Sequence, residues 1–164
     1  MGQIPLYYNH LKTGRPYQQG SDDLFTARYL DVENSPLYPF GYGKTYGNFL
    51  YQELTLAKTK ISGEEKLRVK IRITNESKYK AKEVVQVYLL DQVAKIARPV
   101  KELIHFEKHS FEPYETKEIN FVFDINDFYY LDSEGNNCLE SGMMTIFVGG
   151  SSDADLKKDF YLEL

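Results

Sequence analysis

Leu67-Arg68-Val69-Lys70-Ile71-Arg72-Ile73-Thr74 alternates apolar and polar residues without a break. Because successive side chains of a β-strand point to opposite faces, this period of two puts the four apolar residues on one face. A strand with one apolar and one polar face is typical of an antiparallel sheet that covers a core on one side only. A register slip of one residue would turn the apolar stripe toward water, so the pairing of this strand is strongly specified.

Six further segments have strand patterns, and they lie on both sides of this one. They centre on residues 54–56, 84–90, 100–106, 119–125, 144–148 and 160–164. Both faces of the 84–90 segment are apolar, which indicates a central strand. Seven short strands separated by turns predict an all-β fold, a seven-stranded antiparallel β-sandwich of fibronectin type III or immunoglobulin-like type. Residues 113–115 and 134–137 are predicted to be hairpin turns.

Ahead of these strands lies a stretch of another kind, Pro36-Leu37-Tyr38-Pro39-Phe40-Gly41-Tyr42-Gly43, which continues into Lys44-Thr45-Tyr46. The prolines restrict the backbone to extended geometry, and the glycines permit close approaches that a Cβ would forbid. The stretch is too rigid and too apolar for a solvated linker. It predicts an extended N-terminal segment whose rings dock on a large surface, with residues 1–46 separate from a sandwich over residues 47–164.

The composition limits the classes of partner. The 164 residues carry a net charge of −4, which argues against a nucleic-acid partner. No apolar run approaches the roughly 20 residues that span a bilayer, and no secretory leader is visible, so no membrane partner is expected. Cys138 is the only cysteine, which excludes an intrachain disulfide. Cysteine usage leaves cytoplasm and periplasm both open, and cytoplasm is the preferred expectation over periplasm or secretion.

Residue types suited to catalysis are present but scattered. His10, His105 and His109 have no cysteine neighbour and no histidine at metal-ligand spacing, so they are interpreted as surface or structural residues. The carboxylates form no recognisable calcium loop, and a sandwich with a filled core offers no evident pocket for a pair of catalytic carboxyls. We therefore expect no catalytic residue, no metal and no cofactor.

Aromatic residues are the stronger functional candidates. Tyr38, Phe40, Tyr42 and Tyr46 are interpreted as docking residues at a domain interface. Tyr129 and Tyr130 are candidate sugar contacts, because carbohydrate-binding modules stack sugar rings on exposed aromatic side chains. For this second pair, burial and sugar binding both remain open.

Several motifs resemble glycoside hydrolase family 3 enzymes, in the same order along essentially the whole chain. The motifs are Ile4-Pro5-Leu6-Tyr7-Tyr8-Asn9-His10 with Thr13-Gly14-Arg15-Pro16, Tyr29-Leu30-Asp31, the 36–43 stretch, Glu83-Val84-Val85-Gln86-Val87-Tyr88, Arg98-Pro99-Val100-Lys101-Glu102-Leu103 and Gly149-Gly150-Ser151-Ser152-Asp153. Lys44-Thr45-Tyr46-Gly47 departs from the more common Leu-Ser-Tyr-Thr, and residues 112–116 depart from the usual Pro-Gly-Glu-Thr turn.

The resemblance implies the C-terminal fibronectin type III-like domain of a retaining β-glucosidase or β-xylosidase, with the end of the preceding α/β sandwich domain. In that family the nucleophile and the acid/base lie on earlier domains, and no position here matches either motif. The chain is therefore expected to be a non-catalytic accessory module that stabilises the catalytic domains of the same parent chain, with Arg98 added to the docking residues. The alternative is a carbohydrate-binding module whose partner is an oligosaccharide.

Overall fold

The computed structural model describes residues 6–12, 15, 23, 25–26, 28–29 and 31–164. Several motif positions quoted above, Ile4, Pro5, Thr13, Gly14, Pro16 and Leu30, lie outside these residues. The described part contains ten strands and one 3₁₀ helix at Ile125–Phe128. The strands are β1 Phe49–Leu56, β2 Lys60–Ser62, β3 Leu67–Asn75, β4 Ala81–Asp91, β5 Glu102–Phe111, β6 Thr116–Phe123, β7 Tyr130–Leu131, β8 Asn137–Cys138, β9 Gly142–Gly149 and β10 Lys157–Glu163.

The strands form two principal sheets and a small two-stranded sheet. The order is β1-β3-β6 in the first sheet and β2-β10-β9-β4-β5 in the second, and β7 pairs with β8. The all-β prediction is confirmed, and the seven predicted strands correspond to β1, β3, β4, β5, β6, β9 and β10. Three further strands, β2, β7 and β8, are too short to show a periodic pattern in the sequence. The pairing between the long strands is antiparallel, and the short β2 runs parallel to β10.

Both sheets bury one face in a single shared core. The stripe of β3 that alternates in sequence is fully buried, and β4 contributes Val85, Val87 and Leu89 from the opposite sheet. Phe128 of the 3₁₀ helix lies 5.5 Å from the ring of Phe160 on β10. The two layers are therefore held together mainly by apolar burial, which is the dominant favourable contribution to folding.

One predicted hairpin is a hairpin and the other is not. Residues 132–136 turn between the paired strands β7 and β8, with Gly135 in the left-handed region at φ 85°. Residues 112–115 instead carry the chain from β5 in one sheet to β6 in the other. The buried Asn75 side chain donates to the carbonyls of Tyr79 and Glu112, and so ties together two of the connections that change sheets, β3 to β4 and β5 to β6. The sequence predicts a turn at residues 113–115, but it does not show that the strands before and after this turn belong to different sheets.

Strand β4 lies between β9 and β5, as the apolar character of both its faces predicted. Its outward-facing Gln86 and Tyr88 are buried, because the N-terminal segment crosses this face of the sheet. The segment is also held at Val100, whose N–H donates to the carbonyl of His10 at 2.9 Å. The first strand begins at Phe49, which is compatible with the predicted division at residue 46.

Candidate functional site

Gln86 is the main anchor of the N-terminal segment. Its Nε2 donates to the carbonyl of Gly41 at 3.1 Å and to that of Gly150 at 2.6 Å. Its Oε1 accepts the hydroxyl of Tyr88 at 2.5 Å, so one buried amide joins three parts of the chain. A Cβ on Gly41 would lie 2.0 Å from this Oε1, and Gly41 has φ +78°. Only glycine satisfies both conditions here.

A second attachment lies one residue earlier in the segment. The N–H of Ser152 donates to the carbonyl of Phe40 at 2.8 Å. The ring of Phe40 stacks on Tyr8 with centroids 4.1 Å apart, and Tyr8 meets the edge of Tyr88 at 6.0 Å. The segment is thus attached to the sandwich by its backbone and by one stacked ring.

The other rings of the segment face solvent. Tyr38 is 62% exposed, Tyr42 50% and Tyr46 90%, and Phe40 keeps 47% of its surface accessible despite its stack. Tyr38 and Tyr42 contact each other at a centroid distance of 5.3 Å. Leu37, in the same stretch, adds further exposed apolar surface. We call residues 37–46 the aromatic ribbon; its docking role stays a prediction.

Arg98, the remaining predicted docking residue, lies inside the module. Its Nη2 donates to Glu102 at 2.6 Å, and its guanidinium lies 4.5 Å over the ring of Tyr130. Within the described residues its Nη1 has no hydrogen-bond partner. Arg98 therefore presents little surface to a partner, and its part in docking also stays a prediction.

The two candidate sugar contacts have different surroundings. Tyr130 is buried, its hydroxyl donates to Glu140 at 2.9 Å, and burial together with this carboxylate raises its pKa to about 12. With Arg98 over its ring, Tyr130 has no free face for a sugar. Tyr129 keeps an exposed ring. The structure thus leaves one of the two rings for the predicted contact.

No catalytic constellation is brought together by the described residues. His105 and His109 flank Glu107 on β5, with Nε2 to carboxylate distances of 3.1 and 3.0 Å. Among all the residues that the structure describes, no group of three or more His, Cys, Asp or Glu side chains is arranged to hold a metal ion. The part of the chain that the structure describes also has no helix long and apolar enough to cross a membrane.

Glu83 is a partly buried acid whose titration should be visible in stability measurements. It accepts the hydroxyl of Tyr51 at 2.8 Å; burial raises the pKa of the carboxyl, and this hydrogen bond opposes the rise. The folded state then binds this proton more tightly than the unfolded chain, so stability is lost as pH rises from the ordinary glutamate range through the raised pKa. Tyr51 stays protonated over this range, because burial also raises its pKa.

We expect Glu83→Gln to remove this loss and to be more stable than the unsubstituted chain at about pH 8. The measurement is urea unfolding at several pH values, and the difference between the two curves should grow with pH. Glu76→Gln, at an exposed position, is the matched control and should leave the profile unchanged. Parallel profiles for Glu83→Gln and the parent chain would contradict the expectation.

The sequence reasoning missed Gln86 and its partners. The available signal was a glutamine in the middle of an otherwise apolar strand, where a buried amide needs hydrogen-bond partners. Its three partners lie 45, 64 and 2 residues away in the chain, so periodicity could not identify them.

Comparison with known proteins matches residues 83–152 to the fibronectin type III-like domain. A periplasmic beta-glucosidase of Salmonella typhimurium is 39% identical over 93% of this chain and 20% of its own length. The beta-glucosidase of Listeria innocua, solved with glucose, has a TM-score of 0.89 at 39% identity, over 99% of this chain and 23% of that one. The GH3 beta-glucosidase of Bifidobacterium adolescentis has a TM-score of 0.68 at 35% identity, over 76% and 18%. The chain spans about a fifth of the length of these relatives.

Proposed function

We propose that the chain is a non-catalytic accessory module of a glycoside hydrolase family 3 enzyme, because residues 83–152 match the fibronectin type III-like domain and the chain is similar to beta-glucosidases. The parent would be a retaining β-glucosidase or β-xylosidase. The module would stabilise the catalytic domains of the same polypeptide. It would supply no catalytic residue, so the isolated chain should not hydrolyse a nitrophenyl β-glucoside.

The exposed aromatic ribbon carries this proposal. Its backbone is held on the sandwich by Gln86 and Ser152, while Tyr38, Tyr42 and Tyr46 are at least half exposed. Contiguous exposed apolar surface of this kind marks an interaction site rather than a solvated face. Because the chain spans about a fifth of its relatives, the remaining polypeptide is the partner that we propose for this surface.

A chimera tests the proposal. Residues 1–164 replace the corresponding segment of the Listeria innocua β-glucosidase, and a second protein lacks that segment altogether. We expect the chimera to be active and the truncated protein to lose activity or to aggregate, because its docking surface would be left uncovered. Activity on a nitrophenyl β-glucoside and thermal unfolding are the measurements.

The triple variant Tyr38→Ala/Tyr42→Ala/Tyr46→Ala sharpens the test. In the isolated chain, loss of these exposed rings should change the free energy of unfolding by less than about 1 kcal/mol. In the chimera the same substitutions should lower Tm by several degrees, because there the rings are covered. Tyr79→Ala/Tyr114→Ala, at exposed positions outside the ribbon, is the matched control. An equal response of the triple variant in both contexts would argue against docking.

An oligosaccharide partner is the alternative that the exposed Tyr129 ring still supports. Titration of the chain with gluco- and xylo-oligosaccharides tests it, with Tyr129→Ala as the variant that should abolish binding.

For the compartment we propose cytoplasm rather than periplasm, although a relative is named as periplasmic. Cell fractionation distinguishes the two.

A further inference from the structure

A groove of about 600 Å³ runs between the aromatic ribbon and the second sheet. One wall is the end of the ribbon, from Gly41 to Tyr46. The other wall is the start of β4 and the end of β5. Among the residues that line it are Lys44, Tyr46, Lys80, Lys82, Glu83 and Lys108.

The lining carries four lysines on a chain whose net charge is −4. Lys82 pairs with Ser110 and Val84 with Lys108 across the two strands, so both lysines stand on the same outward face of the sheet. Lys80 forms an ion pair with Glu112 at 2.5 Å. Lys44, Lys82 and Lys108 have no acidic side chain within 4.0 Å among the described residues, and all three are exposed.

The one acid in the lining does not offset this charge. The Glu83 carboxylate accepts the Tyr51 hydroxyl at 2.8 Å, and it is partly buried against the inner face of the sandwich. Burial raises the pKa of this carboxyl, and a single carboxyl stands against four lysines in the lining. The groove is therefore a local concentration of positive charge, and such clefts attract anions.

The chemistry of the lining favours carboxylates over sugar hydroxyls. Lysine ammonium groups are flexible point charges, which suit separate carboxylates spaced along a chain. The lining residues include no Asn, Gln, Asp or Arg side chain that could hold the hydroxyls of a sugar in a fixed pattern. Tyr46 and Val84 supply apolar surface between the charges, as the core of a protein interface does.

We propose that this groove binds an acidic, extended peptide segment of the polypeptide outside residues 1–164. The inference rests on the proposed function, because the ribbon that forms one wall is also the surface proposed to dock on that polypeptide. It adds the chemistry of the partner: Glu and Asp side chains placed opposite Lys44, Lys82 and Lys108. Charged pairs of this kind set orientation and the rate of encounter more than affinity.

The test uses the chain itself and a hexaglutamate peptide as the probe. We expect shifts of the backbone amide NMR signals of residues 80–84 and 108–110 on titration, and their loss as NaCl is raised from about 0.05 M to about 0.5 M. Lys82→Glu/Lys108→Glu places like charges opposite the peptide, and this repulsion should weaken binding about tenfold or more. Lys66→Glu/Lys158→Glu changes the net charge equally at exposed positions outside the groove and should leave binding unchanged.

Three outcomes would overturn the proposal: no binding of hexaglutamate, an equal loss in the control variant, or tighter binding of oligogalacturonate than of the peptide. The source of the segment is tested by acetylation of lysines in the full-length gene product. Lys82 and Lys108 should react more slowly there than in the 1–164 chain, and equal reactivity would refute an internal partner. The tyrosine variants of the chimera report on the ribbon separately, so the groove can fail while the accessory role stands.

Discussion

Replacing Phe160 by alanine is expected to lower the free energy of unfolding by about 4 kcal/mol, as for other fully buried phenylalanines. Phe160 has no exposed surface and lies on β10, which pairs with β2 on one side and β9 on the other. Its ring contacts Phe128 of the 3₁₀ helix at 5.5 Å. The substitution would leave a cavity in the core shared by both sheets. Because β10 is hydrogen-bonded to a strand on each side, its backbone cannot readily move to fill this cavity.

Urea unfolding followed by circular dichroism measures this loss. Tyr161→Ala is the matched control, since it removes a ring of similar size from the next position of the same strand. Tyr161 points outward and is 37% exposed, so its loss should cost less than about 1 kcal/mol. Similar costs at the two positions would mean that the inner face of β10 is not the core described above.

Replacing Gln86 by alanine is expected to cost about 3 kcal/mol and to release the aromatic ribbon from the sheet. The substitution leaves the carbonyls of Gly41 and Gly150 without their donor and the Tyr88 hydroxyl without its acceptor. Each polar group left unpaired in a buried site costs about 1–3 kcal/mol, and solvent reaches part of this site once the ribbon moves. The loss should therefore be smaller than the sum of three such costs.

Two measurements separate release of the ribbon from general destabilisation. Amide hydrogen exchange at Ser152, whose N–H donates to Phe40, should accelerate more than exchange in β3. Gln52→Ala, on the exposed face of β1, is the control and should change neither stability nor exchange. Uniform acceleration across β3 and Ser152 would show that Gln86 supports the whole sandwich rather than the ribbon.

The candidate site shows which features a local sequence pattern can indicate and which it cannot. The rings that we propose to dock are exposed, and their clustering in one proline-rich stretch is a local property that the sequence displays; docking itself stays a prediction. Arg98 was expected to dock on a partner, and Tyr130 was left open between burial and sugar contact; the structure stacks the two on each other inside the module. Their burial follows from contacts between the 98–102 and 130–140 regions, which no local pattern encodes. The groove lysines come from four separate positions and meet only through strand pairing and the path of the ribbon.

A period of two and a doubly apolar strand are local signals of burial, and they predicted the strand pattern, the buried faces of β3 and β6 and the central place of β4. The apolar residues of the 100–106 segment did not mark the buried face of β5, since Phe106 is 63% exposed. Long-range contacts determine which strands share a sheet, that residues 112–115 change sheets, and that Gln86 holds the ribbon. These features depend on hydrogen bonds and side-chain contacts between distant segments. Their formation depends on packing of the whole chain rather than on the preference of any one segment.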